Sequence, residues 1–158
     1  MQSTVLVSAC LLGEKVRYDG GHHWQQHPLL TQLHQQQRIV PFCPECAGGL
    51  PTPRPPAERQ GARVITIDGA DVTAEFQLGA QLALHTAQAR GVVMAILKAR
   101  SPSCGVTQIY DGSFSNRLIA GDGVTAACLQ AAGIAVFSEL QLDDASRWLA
   151  AYDASCEP

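Results

Sequence analysis

Val92-Val93-Met94-Ala95-Ile96-Leu97-Lys98, bounded by Gly91 on one side and Ser101-Pro102 on the other, decides the fold. A continuous apolar run between turn signals is the pattern of a strand covered on both faces. Such a strand belongs to a parallel sheet with helices above and below it. The neighbouring sequence agrees. Before it, Asp71 to Arg90 places Val72, Phe76, Ala80, Ala83 and Ala87 along one helical face, and Gly91 ends the helix. After it, Val124 to Ala132 reads as a helix ending at Gly133, Ile134 to Ser138 as a strand, and Leu142 to Tyr152 as an amphipathic helix.

The amino-terminal part repeats the alternation. Thr4 to Cys10 (TVLVSAC) is a β-branched, apolar strand that stops at a glycine-containing loop. Pro28 then starts a helix that carries Leu29, Leu30 and Leu33 as far as Gln37, and Arg38 to Cys43 (RIVPFC) is a second strand with Pro41 near its end. Arg63 to Ile67 is a minor strand. Between Cys43 and Gly61 the density of Gly48, Gly49, Pro51, Pro53, Pro55 and Pro56 predicts a long functional loop without helix or sheet, pinned by Arg54 and Glu58. The expectation is a three-layer α/β domain over 1–158, with a mainly parallel sheet and helices on both faces.

Composition narrows the function. The 158 residues are 46% apolar, 16% charged and 6% aromatic, enough for a core of small aliphatic side chains. Eleven Lys and Arg against 14 Asp and Glu give a net charge of -3, which argues against an extended nucleic-acid footprint and leaves room for a small ligand. Met1-Gln2-Ser3-Thr4 has no basic leader, and no apolar run approaches the roughly 20 residues that span a bilayer. A cytoplasmic protein without membrane contact is expected. In that compartment six cysteines call for a metal or catalytic explanation and not for disulfides.

Cys10 follows the first strand, Cys43 the second, and Ser101 to Cys104 the third. In an open parallel sheet the carboxyl ends of the strands are where ligands bind, so three cysteines far apart in sequence are expected to meet in one crevice. Cys43-Pro44-Glu45-Cys46 taken alone reads either as a dithiol or as half of a zinc site. Gly48, Gly49 and Pro51 speak against the helix that a thioredoxin-type dithiol needs, and His23 with His27 is a weak second half for zinc. His22, His23 and His27 read more simply as a solvated polar loop. Cys128 shares a stripe with Val124, Ala127 and Ala131 and reads as packing, while Cys156 lies in a tail without anchoring. Gly121-Asp122-Gly123 reads as a turn before a helix, without a phosphate-loop pattern around it.

Five stretches in order carry a resemblance: Ser8-Ala9-Cys10-Leu11-Leu12-Gly13, Arg17-Tyr18-Asp19-Gly20, Cys43-Pro44-Glu45 with Gly48-Gly49-Leu50-Pro51, Pro53-Arg54-x-Pro56-x-Glu58, and Ser101-Pro102-Ser103-Cys104-Gly105. Across essentially its whole length the chain resembles a bacterial family, long catalogued as a domain of unknown function, whose characterised members are thiouracil desulfidases. Those enzymes remove sulfur from thiolated pyrimidines with a [4Fe-4S] cluster held by three cysteines. The resemblance implies Cys10, Cys43 and Cys104 as cluster ligands, with the catalytic residues Glu45 and Ser101 beside a thiolated-pyrimidine substrate.

Three thiolates leave one iron of such a cluster without a protein ligand, and an open, sulfur-rich iron suits a thiocarbonyl sulfur. Glu45 would take a proton from the attacking water, and Ser101 would orient the ring or relay a proton. In this chain Cys46 stands where the family's motif usually has an apolar residue. A thiol there that closed the fourth iron would give an electron-transfer or structural cluster. The rival expectations are therefore a non-catalytic zinc or iron-sulfur binding module, and a dithiol redox protein using Cys43 and Cys46.

Overall fold

The computed structural model describes residues 3–14, 18–21 and 25–156. In chain order the elements are β1 (Thr4–Ser8), α1 (Pro28–Gln35), β2 (Ile39–Phe42), α2 (Pro44–Ala47), β3 (Ala57–Gln60), β4 (Arg63–Thr66), α3 (Thr73–Ala89), β5 (Val92–Leu97), β6 (Gln108–Tyr110), β7 (Leu118–Ala120), α4 (Val124–Ala131), β8 (Ala135–Ser138) and α5 (Leu142–Cys156). The central sheet has the order β2-β1-β5-β8, and each of its pairings is parallel. Two antiparallel hairpins, β3-β4 and β6-β7, stand apart from it.

The apolar runs are continuous because both faces of the sheet are covered. Val5, Val7, Met94 and Ile96 pack with leucines of α1 and α5 on one side. Leu6, Ala95 and Leu97 alternate to the other side, against Ala87 of α3 and Ala126 and Leu129 of α4. This is the expected three-layer α/β architecture. None of Val5, Leu6, Val7, Met94, Ala95, Ile96 and Leu97 is exposed, so truncating Leu97 to alanine should cost about 2–5 kcal/mol.

Several expectations are corrected. The segment after Cys43 is not devoid of regular structure. Pro44, with its fixed φ, begins the short helix α2, and Ala57–Gln60 pairs with the strand already expected at Arg63. The glycine- and serine-rich stretch after Cys104 contains the β6-β7 hairpin. On α4 the buried face is Thr125, Ala126 and Leu129, one residue away from the expected stripe; Ala127 is exposed, and Cys128 is half-buried with its thiol directed to the Ala80 carbonyl at 3.8 Å. Cys156 is not in a loose tail but is the exposed last residue of α5. His27 is a helix cap: Nδ1 accepts from the Leu29 N–H at 3.0 Å, and Nε2 meets Asp143 at 2.9 Å. Arg17, His22 and His23 lie outside the described residues. Among the described residues, no helix is long and apolar enough to cross a membrane.

Candidate functional site

The strand order reverses direction of growth at β1: β2 was added on one side and β5 on the other. A cleft opens outside the carboxyl ends at such a switch point, where the flanking loops turn away from each other. Its volume is about 730 Å³, and its lining includes Cys10, Cys43, Glu45, Arg54, Ser101 and Cys104. The three strand-end thiols expected to converge therefore do so, and Glu45 and Ser101 stand in the same cleft.

Each group is placed by local chemistry. Cys10 sits in a single 3-10 turn directly after β1, which Gly13 ends at φ 91°. Cys104 follows β5 in a tight loop organised by Ser101, whose Oγ accepts the N–H groups of Ser103 at 3.1 Å and Cys104 at 3.0 Å. Ser101 thus shapes the loop that presents Cys104, and it lines the cleft. Ser103 supports the same loop from the other side, with its hydroxyl near the Cys104 thiol. It is fully buried, with its hydroxyl 2.8 Å from that of Thr125 on α4. The α4 terminus is also occupied: Val124 N–H donates to the Pro102 carbonyl and Thr125 N–H to that of Ser103, so Gly121-Asp122-Gly123 frames no anion site.

Cys43 precedes α2 as its cap residue, and Glu45 lies in the helix's first turn. What fixes this short helix is close contact with α3. A Cβ on Gly48 would stand 2.1 Å from the Glu75 carbonyl oxygen, and one on Gly79 would stand 2.0 Å from that of Pro44. The two backbones can touch only because both positions are glycine.

Glu45 is largely buried and paired. Arg54 donates from Nε to Oε2 at 2.8 Å and holds Nη2 2.8 Å from the same oxygen, so Oε1 stays outside the pair. Arg54 Nη1 also donates to the Pro51 carbonyl at 3.1 Å and to Thr52 Oγ1 at 3.0 Å. Burial raises the pKa of the Glu45 carboxyl above the usual range, against the opposing pull of the Arg54 charge. Cys46 lies between this arginine network and Cys43: its Sγ is 3.5 Å from Thr52 Oγ1 and 3.9 Å from Arg54 Nη1, and its thiol also shares a hydrogen bond with that of Cys43. Among the described residues that line the cleft, Cys43 is present and Cys46 is not.

Sequence reasoning missed two groups that tie the strand ends together. Ser8 donates its O–H to Cys104 Sγ at 3.6 Å and accepts the Lys98 N–H at 3.0 Å, which links the ends of β1 and β5 through one hydroxyl. Glu139, just after β8, accepts the Ala99 N–H at 2.6 Å and pairs with Lys98 at 2.9 Å. Ser8 stands at the head of the Ser8-Ala9-Cys10 stretch, which marks the thiol and not the hydroxyl's link to the neighbouring strand; no motif marks Glu139, whose only signal is its place one step beyond an apolar strand.

Burial pushes the thiols of Cys43 and Cys104 up to about 12. Cys104 also lies close enough to Glu45 and Cys10 to feel their charges, and Cys43 close enough to Cys46 and Cys104. Thiolates in such a place require a strongly cationic group beside them. Among the described residues, no three His, Cys, Asp or Glu side chains are gathered tightly enough for a single metal ion. An iron-sulfur cluster presents its irons at separate corners, so its thiolates need not converge on one point. Three buried or half-buried thiols on three loops around one cleft fit that kind of group.

Comparison with known proteins supplies an independent view. The family described as 2-thiouracil desulfurase matches residues 5–141. A Bacillus subtilis (strain 168) protein named "Uncharacterized protein YbbK" is 41% identical over 150 residues, covering 89% of this chain and 98% of its own length. A solved structure described as a "[4Fe-4S]-dependent thiouracil desulfidase TudS" superposes with a TM-score of 0.92 at 52% identity, covering 94% of this chain and 99% of the other.

Proposed function

Because the chain belongs to the 2-thiouracil desulfurase family, we propose that it removes the sulfur of a thiolated pyrimidine, a 2- or 4-thiouracil or its nucleoside or nucleotide. The products are the uracil derivative and sulfide, and the cofactor is a [4Fe-4S] cluster held by Cys10, Cys43 and Cys104. The observation that carries this reading is the meeting of three thiols from three strand ends with one buried, paired carboxylate in a single cleft. When bound, such a cluster supplies an iron without a protein ligand, a soft Lewis acid for a thiocarbonyl sulfur.

The remaining chemistry falls to the side chains. Glu45, with Oε2 occupied by Arg54, accepts a proton from water at Oε1, and the hydroxide adds at the thiocarbonyl carbon. A raised carboxyl pKa suits a group that must take this proton and then return it to the departing sulfur. Water replaces sulfide at carbon, so the overall step is a hydrolysis with no net redox change. Ser101 donates its O–H proton towards the substrate ring while its lone pairs stay with the loop. Cys46, whose thiol meets Thr52 and Arg54 as well as Cys43, is not assigned as a ligand, and the cluster would then keep one iron for substrate. A reducing, cytoplasmic setting suits six cysteines with no disulfide among the described residues.

One specific observation favours a second reading. Cys43 caps α2 and Cys46 sits in its first turn, which is the helix-terminal placement of a redox C-x-x-C. The test separates the two. Anaerobically reconstituted protein is incubated with 2-thiouracil and 4-thiouracil while thione absorbance and released sulfide are followed. The desulfidase reading expects equal loss of thione and gain of sulfide without added reductant. Disulfide reductase activity with no thione loss would establish the dithiol instead.

A further inference from the structure

One part of the cleft wall takes no role in the mechanism above. It is the connection between β6 and β7, from which Phe114 and Asn116 line the cleft. Both hold left-handed backbone, at φ 57° and 60°. Asparagine tolerates this region, whereas for a bulky side chain it is a genuine outlier.

The conformation is imposed from β3. Glu58 Oε1 accepts the N–H of Gly112 at 3.0 Å and that of Phe114 at 3.2 Å, and Gln60 Nε2 donates to the Gly112 carbonyl at 3.0 Å. Gly112, at φ +96°, lies so near β3 that an added Cβ would be 2.8 Å from the Arg59 carbonyl oxygen. Within the loop, the Asp111 N–H closes onto the Arg117 carbonyl at 2.9 Å, and Asp111 Oδ1 accepts the Ser113 N–H at 2.9 Å. Backbone held in an unfavourable region by this many partners gathers where a side chain has to be presented.

We propose that Phe114 and Asn116 form the wall that reads the substrate ring, and that Glu58 is the positioning residue that holds them there. The phenyl ring offers an apolar platform for a flat pyrimidine. The Asn116 amide, with a donor beside an acceptor, matches the adjacent N–H and carbonyl or thiocarbonyl edge of the ring. This assignment rests on the desulfidase reading and extends it to substrate recognition.

The test uses cluster-loaded protein carrying Phe114→Leu, Asn116→Gly, Glu58→Ala or Glu58→Gln. KM and kcat for 2-thiouracil, Tm, and the affinity for uracil by calorimetry are measured on each. Asn116→Gly relaxes the backbone, so Tm should stay level or rise while KM and the uracil Kd increase about tenfold, the scale of one lost base contact. Phe114→Leu should act similarly on KM, with kcat within about twofold of wild type. Glu58→Ala should reproduce the KM loss, and Glu58→Gln, which keeps an oxygen acceptor, should restore most of it. Wild type that turns over, with variants that keep its KM and uracil affinity, overturns the wall while leaving the desulfidase intact. Wild type that binds uracil without desulfurating thiouracil, with Asn116→Gly and Phe114→Leu weakened in binding, supports the wall and overturns the desulfidase. Wild type that neither turns over nor binds uracil overturns both.

Discussion

Two buried arginines sit at opposite ends of the sheet, each paired with a carboxylate at 2.8 Å. Arg38, at the amino-terminal edge, donates from Nη2 to Asp153 and Ser3 and from Nε to the Ser3 carbonyl, which ties α5 to the start of β1. Arg54, at the carboxyl edge, grips Glu45 inside the cleft. The chemistry of the pairs is the same, but the carboxylates respond oppositely. Burial works to raise Asp153, yet the hydrogen bonds of Ser3 and Arg38 and the charge of Arg38 outweigh it, and its pKa ends below the ordinary value. For Glu45 burial wins, and the pKa ends above it. A buried ion pair alone therefore does not mark a site. One whose carboxylate is pushed towards neutrality, beside a cleft and three thiols, does.

Glu45→Gln removes the proton acceptor and keeps the shape and the Arg54 contact. Turnover of fully loaded protein should fall by roughly 100- to 10,000-fold with iron content unchanged. Near-normal turnover would reduce this pair to the structural status of the other.

Gly79→Ala touches neither pair directly. It should push α2 off α3, because its Cβ has no room beside the Pro44 carbonyl. Overpacking of this kind costs about 1–3 kcal/mol, read by denaturant unfolding, and the displaced Cys43-Pro44-Glu45 turn should lower the iron retained per chain. The matching control is Gln77→Ala, an exposed position on the same helix, which should change neither quantity.

The smallest effect belongs to the amino-terminal pair. Asp153→Asn should lower stability by about 1 kcal/mol at neutral pH, a modest figure because the carboxylate is a third exposed, and should leave turnover unchanged. The sign follows from the depressed pKa. Wild type holds this stabilisation above the unfolded value of 3.8 and loses it as pH falls through the lower folded value, so the gap between wild type and variant should close in acid. Urea unfolding at a series of pH values reads this directly.

The fold and the three thiols were legible because they depend on local pattern. Strands such as Val92–Leu97 announce burial on two faces, and their ends locate Cys10, Cys43 and Cys104. What escaped depends on contacts between distant segments. In sequence Gly48 reads as a helix breaker, although its use is to let α2 lie against α3, a role visible only once Gly79 is opposite. Ser8 links two strands that neighbour each other only in the sheet, and Glu58 reads as a pin without the loop it pins. On α4 the apolar residues run nearly all round the helix, so periodicity could not choose between the Cys128 side and the Leu129 side.

The claim that three thiols, and not a fourth, hold the cluster is tested most directly by iron and acid-labile sulfide counts on anaerobically reconstituted Cys43→Ala and Cys46→Ala side by side. Cys43→Ala should lose the cluster and all turnover, while Cys46→Ala should keep wild-type iron, sulfide and activity. A Cys46→Ala protein that cannot hold its cluster, or a Cys43→Ala protein that holds it and remains active, would overturn the three-thiol assignment.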